Sequence, residues 1–93
     1  MLRFRASITI RDGMSARFES ICDELFSAIR ANEPGCRFAA YGPGKGPHQY
    51  EFLEVYRDEA AYDAHRSSAH FMRLGPELIA CCAQPPTVSR MDD

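Results

Sequence analysis

At 93 residues, with eleven basic against thirteen acidic side chains and a formal charge of −2, the chain has room for one domain and no cationic excess to hold a nucleic-acid backbone. Hydrophobic residues make up 45%, which excludes a disordered polar chain. No apolar run approaches the roughly 18 residues of a membrane span, and the N-terminus opens on an alternating pattern rather than a leader-like apolar block, so no membrane partner and a cytoplasmic location are expected.

Residues 2 to 11 alternate. Leu2, Phe4, Ala6, Ile8 and Ile10 share one face, and Arg3, Arg5, Ser7, Thr9 and Arg11 share the other, as in a half-buried strand. Asp12-Gly13 supplies a turn, and Ser15 is placed to cap a helix. In that helix Phe18, Ile21, Cys22, Leu25, Phe26 and Ile29 form one apolar stripe, and Pro34-Gly35 ends it. A second strand is expected from about Cys36 to Tyr41 and a third from His48 to Arg57. The glycine-rich segment between them is a hairpin connection, because a phosphate cradle needs a helix N-terminus directly after it. Asp58 is a good cap for a second helix, which falters at Ser67-Ser68, where Ser68 caps a further piece. Pro76 cannot bond back to Met72, so a kink or restart is expected there, and Pro85-Pro86 stops the helix before a last strand from Thr87 to Met91.

The order βαββαβ fits a ferredoxin-like α+β domain over residues 1–93, a four-stranded antiparallel sheet with helices on one face. Cys22, Cys36, Cys81 and Cys82 form no CxxC pair and are read as small buried hydrophobes rather than redox or metal groups. In the third strand Leu53 and Val55 are assigned to the side beneath the helices. Tyr50, Phe52, Glu54 and Tyr56 then fall on the opposite side, beside Arg5, Ser7 and Thr9 of the first strand. Aromatic rings on an otherwise open sheet face mark an interface or a ligand site, and a second copy packed face to face would close a barrel. The alternative is that aromatic residues simply favour strands.

Three blocks carry a family resemblance: Asn32-Glu33-Pro34-Gly35-Cys36, the run from Phe52 to Tyr62, and Ala64-His65-Arg66-Ser67-Ser68-Ala69-His70-Phe71. They resemble the antibiotic-biosynthesis-monooxygenase domain. The resemblance implies a dimeric α+β barrel with its substrate pocket between helices and sheet. It also implies cofactor-free oxidation of phenols or quinols, although other members degrade haem or process small carbohydrates. The asparagine, tryptophan and histidine of the haem-degrading members would fall on Ser7, His65 and about Gly75, and the chain has no tryptophan, so haem degradation is not expected.

A cofactor-free oxygenase needs a general base, groups that hold the resulting anion, and a dry pocket. His65 is the first candidate base, with Glu54 as its orienting partner. Ser7, Tyr50, Phe52, Tyr56 and His70 are candidate pocket residues. His65 and His70 lie about 140° apart in an unbroken helix and are not expected to share a metal. His48, beside the glycine-rich loop, is expected to be solvated. The plain alternatives are that His65 fixes the helix break by bonding a carbonyl and that Glu54 pairs with Arg3 or Arg5. The function expected is a homodimeric, cofactor-independent monooxygenase for a small aromatic or quinol compound. The alternatives are isomerisation or breakdown of a small carbonyl metabolite, or a non-catalytic ligand-binding dimer.

Overall fold

A computed structural model describes residues 1–92; Asp93, the last residue of the expected domain, lies outside them. The elements run β1 (Leu2–Thr9), α1 (Ser15–Asn32), β2 (Cys36–Pro43), β3 (Gln49–Tyr56), α2 (Glu59–Arg66), α3 (Ala69–Ala80) and β4 (Thr87–Arg90). The strands form one antiparallel sheet in the order β2-β3-β1-β4. This is the ferredoxin-like arrangement the pattern predicts. The apolar stripe of α1 is buried along its whole length, from Phe18 to Ile29, against the sheet.

Local details depart from expectation in ways the chemistry explains. Met14, not Ser15, occupies the N-cap of α1, and no side chain caps that end. The helix runs on through Pro76 without restarting. Proline withholds one amide from the carbonyl of Met72, but Met72 is exposed, so water can replace the lost bond. The break between α2 and α3 falls where the serines predict it. The Ser68 hydroxyl accepts from the Phe71 amide at 3.2 Å and donates to the His65 carbonyl at 2.7 Å, ending one helix and starting the next.

The face assignment of β3 is reversed in the structure. Register decides it: Leu2 lies opposite Tyr56, Phe4 opposite Glu54, Ala6 opposite Phe52 and Ile8 opposite Tyr50. Directly opposed residues share a face, and the apolar side of β1 has to meet the helices. Tyr50, Phe52, Glu54 and Tyr56 therefore lie beneath the chain's own helices, with Tyr56 fully buried and Phe52 packed on Phe26. Leu53 and Val55 face outward together with Arg5 and Ser7. The aromatic side of the sheet needs no second subunit to cover it.

Gly35 lets α2 approach this sheet. A Cβ at Gly35 would lie 2.5 Å from the Cβ of Ala61, closer than a non-bonded Cβ contact tolerates. Replacing Gly35 with alanine is expected to cost about 1–3 kcal/mol, the usual range for overpacking. Urea unfolding would show this as a lowered midpoint with an unchanged slope.

Candidate functional site

The helix break decides where the two histidines point. In one straight helix they would diverge; with α3 re-aimed after Ser68, both reach the same carboxylate, that of Glu33. Glu33 caps the C-terminus of α1, where its amide bonds back to the Ile29 carbonyl at 2.9 Å. Pro34 and Gly35 then turn the chain into β2, and the Glu33 side chain, 7% exposed, is left pointing inward.

His65 is held closely. Its Nδ1 lies 3.0 and 3.1 Å from the two oxygens of Glu33. A carboxylate only accepts, so Nδ1 carries a proton, and in the neutral imidazole the lone pair is then on Nε2. Nε2 in turn lies 3.7 Å from Glu54, whose same oxygen accepts a short hydrogen bond from the Tyr56 hydroxyl. The rings of Tyr56, Tyr62 and Phe71 surround the imidazole with centroids 5.3, 6.3 and 4.7 Å away. Burial, followed by the charge of Glu54, pushes the Tyr56 phenol far above its ordinary value, so this hydroxyl stays a donor.

Nε2 and Glu54 border a cleft of about 660 Å³ between the helices and the sheet. Its floor is Phe4, Ala6, Ile8 and Phe52; its walls come from Leu25 of α1, Tyr62 of α2 and a run of α3 from Phe71 to Ile79; Pro86 and Val88 edge its mouth. The lining is largely apolar with a few convergent polar atoms, the usual make-up of a small-molecule site, and the volume falls within the usual range of roughly 300–1,000 Å³.

Of the residues proposed from sequence, His65, Glu54 and Phe52 meet in this cleft, and Tyr56 lies under it, bonded to Glu54. The others are elsewhere. Ser7 is on the opposite face of the sheet, 3.3 Å from Glu51, because its register partner is Glu51 rather than a cleft residue. Tyr50 packs on Phe18 and gives its hydroxyl to Glu19 of α1. His70 sits behind His65, its Nε2 on Glu33, and borders a separate hollow. Arg5 pairs with Glu51 at 3.6 Å across the outer face, so Glu54 has Tyr56 and His65 as its partners instead of an arginine of β1. His48 is partly exposed, 3.5 Å from Asp12.

Glu33 is the residue sequence reasoning passed over, although it stands in the Asn32–Cys36 block. One signal was available. An acidic side chain at a helix C-terminus opposes the helix dipole, so its presence needs a cationic or proton-donating partner. With His65 and His70 it also forms a set whose donor atoms all lie within 4.8 Å, against the expectation that the histidines diverge. A ring nitrogen of each histidine lies within hydrogen-bond distance of the carboxylate.

Burial makes the thiols of Cys22, Cys36 and Cys82 poor nucleophiles. Burial raises Cys22 to about 12 and Cys36 to about 11. Among the described residues no helix is long and apolar enough to cross a membrane.

The topology is that of the ferredoxin-like α+β class of domain, here with an apolar cleft and a buried histidine beside it. The family model for antibiotic biosynthesis monooxygenases matches residues 1–74, and the chain belongs to that family. A crystal structure described as an antibiotic biosynthesis monooxygenase is 31% identical over 100% of this chain and 98% of its own, with a TM-score of 0.92. A Caulobacter crescentus CB15 protein whose description carries the same family name is 25% identical over 99% of this chain and 88% of its own, with a TM-score of 0.94. A conserved protein from Methanosarcina mazei Go1, 23% identical over 97% and 89%, shares the fold with a TM-score of 0.90. No curated protein matches the sequence.

Replacing Tyr56 with phenylalanine removes the donor that Glu54 relies on while keeping the ring. A loss of about 1–3 kcal/mol is expected, the cost of leaving a partly buried acceptor short of a partner, and thermal denaturation of the two proteins side by side would measure it.

Proposed function

We propose that the chain is a cofactor-independent monooxygenase acting on a small aromatic or quinol-type compound. One observation carries this reading: Glu33 holds Nδ1 of His65 while the same imidazole borders an apolar cleft. Dioxygen is a triplet and attacks closed-shell molecules slowly, whereas an organic anion gives up an electron readily. His65 takes the acidic hydrogen of the bound substrate as a proton, and the electron pair stays on the substrate. Glu54, 3.7 Å from Nε2, favours the cation that forms on the ring. The aromatic and aliphatic lining keeps water from the anion and leaves room for oxygen. The substrate as a whole then loses two hydrogens, one as the proton first taken and one from the carbon attacked, and gains one oxygen atom as a carbonyl, while the second oxygen leaves as water. The protein stores one proton between those events.

His65→Ala is expected to lower oxygen uptake by about 10²–10⁴-fold with an accepted phenol or quinol, the range a positioned base contributes. An oxygen electrode with a panel of such compounds measures it, and an unchanged rate removes His65 from the mechanism. Turnover of a carbonyl compound at the same rate without oxygen would favour isomerisation instead.

The working unit we infer is a homodimer in which a second copy covers the outer face of the sheet. Phe38 and Leu53 on that face are 50% and 41% exposed, with Val55 between the strands' edges and Arg5 and Glu51 beside them, a mixed surface suited to a twofold contact. Sedimentation of the purified chain at micromolar concentration should give twice the chain mass, and Leu53→Arg should shift it toward the single-chain value. A wild-type chain that sediments as a monomer ends this part of the reading.

A further inference from the structure

Two hollows lie on either side of the His65–Glu33 contact. The cleft holds His65, Glu54 and the apolar lining. The second, about 740 Å³, opens where the end of α1, the start of β2 and helices α2 and α3 meet, and Glu33 and His70 border it. The two share no lining residue among those described. The hydrogen bonds from His65 Nδ1 to the Glu33 carboxylate cross the partition and engage the imidazole itself, whereas the Ser68 hydroxyl, which also lies in the partition, meets only the backbone of His65 and Phe71.

This matters once a substrate is bound. A ring compound filling the apolar cleft leaves no water at Nε2, so a proton captured there cannot return to solvent through the mouth of the cleft. The polar path available is through the ring to the far side. We propose that Glu33 is a proton port for the site: it takes the proton from the back of His65 and exchanges it with water in the second hollow, while His70 is a positioning residue that holds the carboxylate in place. The proposal rests on His65 being the base.

A hydrogen–substrate bond breaks, its electron pair stays on the substrate, and an N–H bond forms at His65 Nε2. The Nδ1–H bond breaks and an O–H bond forms on Glu33, leaving His65 neutral with its hydrogen on Nε2. The carboxylic acid exchanges that hydrogen with water on its open side. When the second oxygen atom leaves as water, His65 returns a proton from Nε2 and recovers one at Nδ1 from Glu33. His70 donates from Nε2 throughout and changes neither charge nor tautomer. The ionisable groups that face this path are Glu54 and Tyr56 of β3, Cys36 of β2, Tyr62 and Arg66 of α2, and Arg57 and Arg73 at the rim of the second hollow.

Two measurements on the full chain test it. The first needs no substrate. Nitrogen-15 spectra of the imidazoles in metal-free buffer at neutral pH should show the His65 proton on Nδ1; a proton on Nε2 in the wild-type protein overturns the port. The second uses anthrone, a weak carbon acid, without oxygen in heavy water. Wild-type protein should exchange its methylene hydrogens for deuterium. His65→Ala should not, and if it does, the base assignment fails rather than the port. Glu33→Gln keeps an acceptor for Nδ1–H but cannot carry a proton, so exchange should fall about a hundredfold, the low end of the contribution of a positioned proton acceptor. His70→Leu should lower exchange, and His70→Gln, which can still donate to Glu33, should restore it. Wild-type exchange in Glu33→Gln, with His65 still required, overturns the port. Where anthrone exchanges with no form of the protein, the nitrogen spectra decide alone.

Discussion

A carboxylate that is 7% exposed cannot rely on water to stabilise its charge, so it must find donors within the protein. Glu33 finds two imidazoles, and much of this fold is arranged to deliver them. The end of α1 sets the carboxylate's position, Gly35 lets α2 come close enough to bring His65, and the break at Ser68 turns α3 so that His70 arrives from the other side. Each element alone would be ordinary. Together they fix one imidazole with a known nitrogen facing an apolar cleft, which is the condition any proton chemistry here requires.

The strand pattern of β1, the α1 stripe and the serine break were all readable because each depends on residues close in sequence. The face assignment of β3 was not readable from β3 alone. Leu53 and Val55 look as apolar as Phe52 and Tyr56, so alternation leaves two equivalent choices. The choice is made by pairing with β1, whose apolar side has to meet α1; placing Ile8 opposite Tyr50 then carries every ring inward. The same parity moved Ser7 away from the cleft and gave Arg5 to Glu51.

The site was legible in part for a related reason. His65 and Glu54 stood out as polar residues within apolar patterns. Tyr50 and His70 stood out equally, yet their partners, Glu19 and Glu33, lie 31 and 37 residues away in the chain, and spacing cannot reveal contacts at such separation. Glu33 belonged to a recognisable block but looked like a routine helix ending. Its cost against the helix dipole was the available clue, and only the fold shows how that cost is met.

The cleft's outer wall is made of residues the fold hardly needs. Met72, Ile79 and Val88 border it while remaining 66%, 51% and 60% exposed, whereas the buried core lies mainly in α1 and the sheet behind. Substitutions there can change the size and shape of what is admitted at little expense in folding free energy, since surface positions usually tolerate exchange within about half a kcal/mol. A scaffold built this way lets the outline of the cleft vary while the buried cluster of Glu33, His65 and His70 behind it is kept.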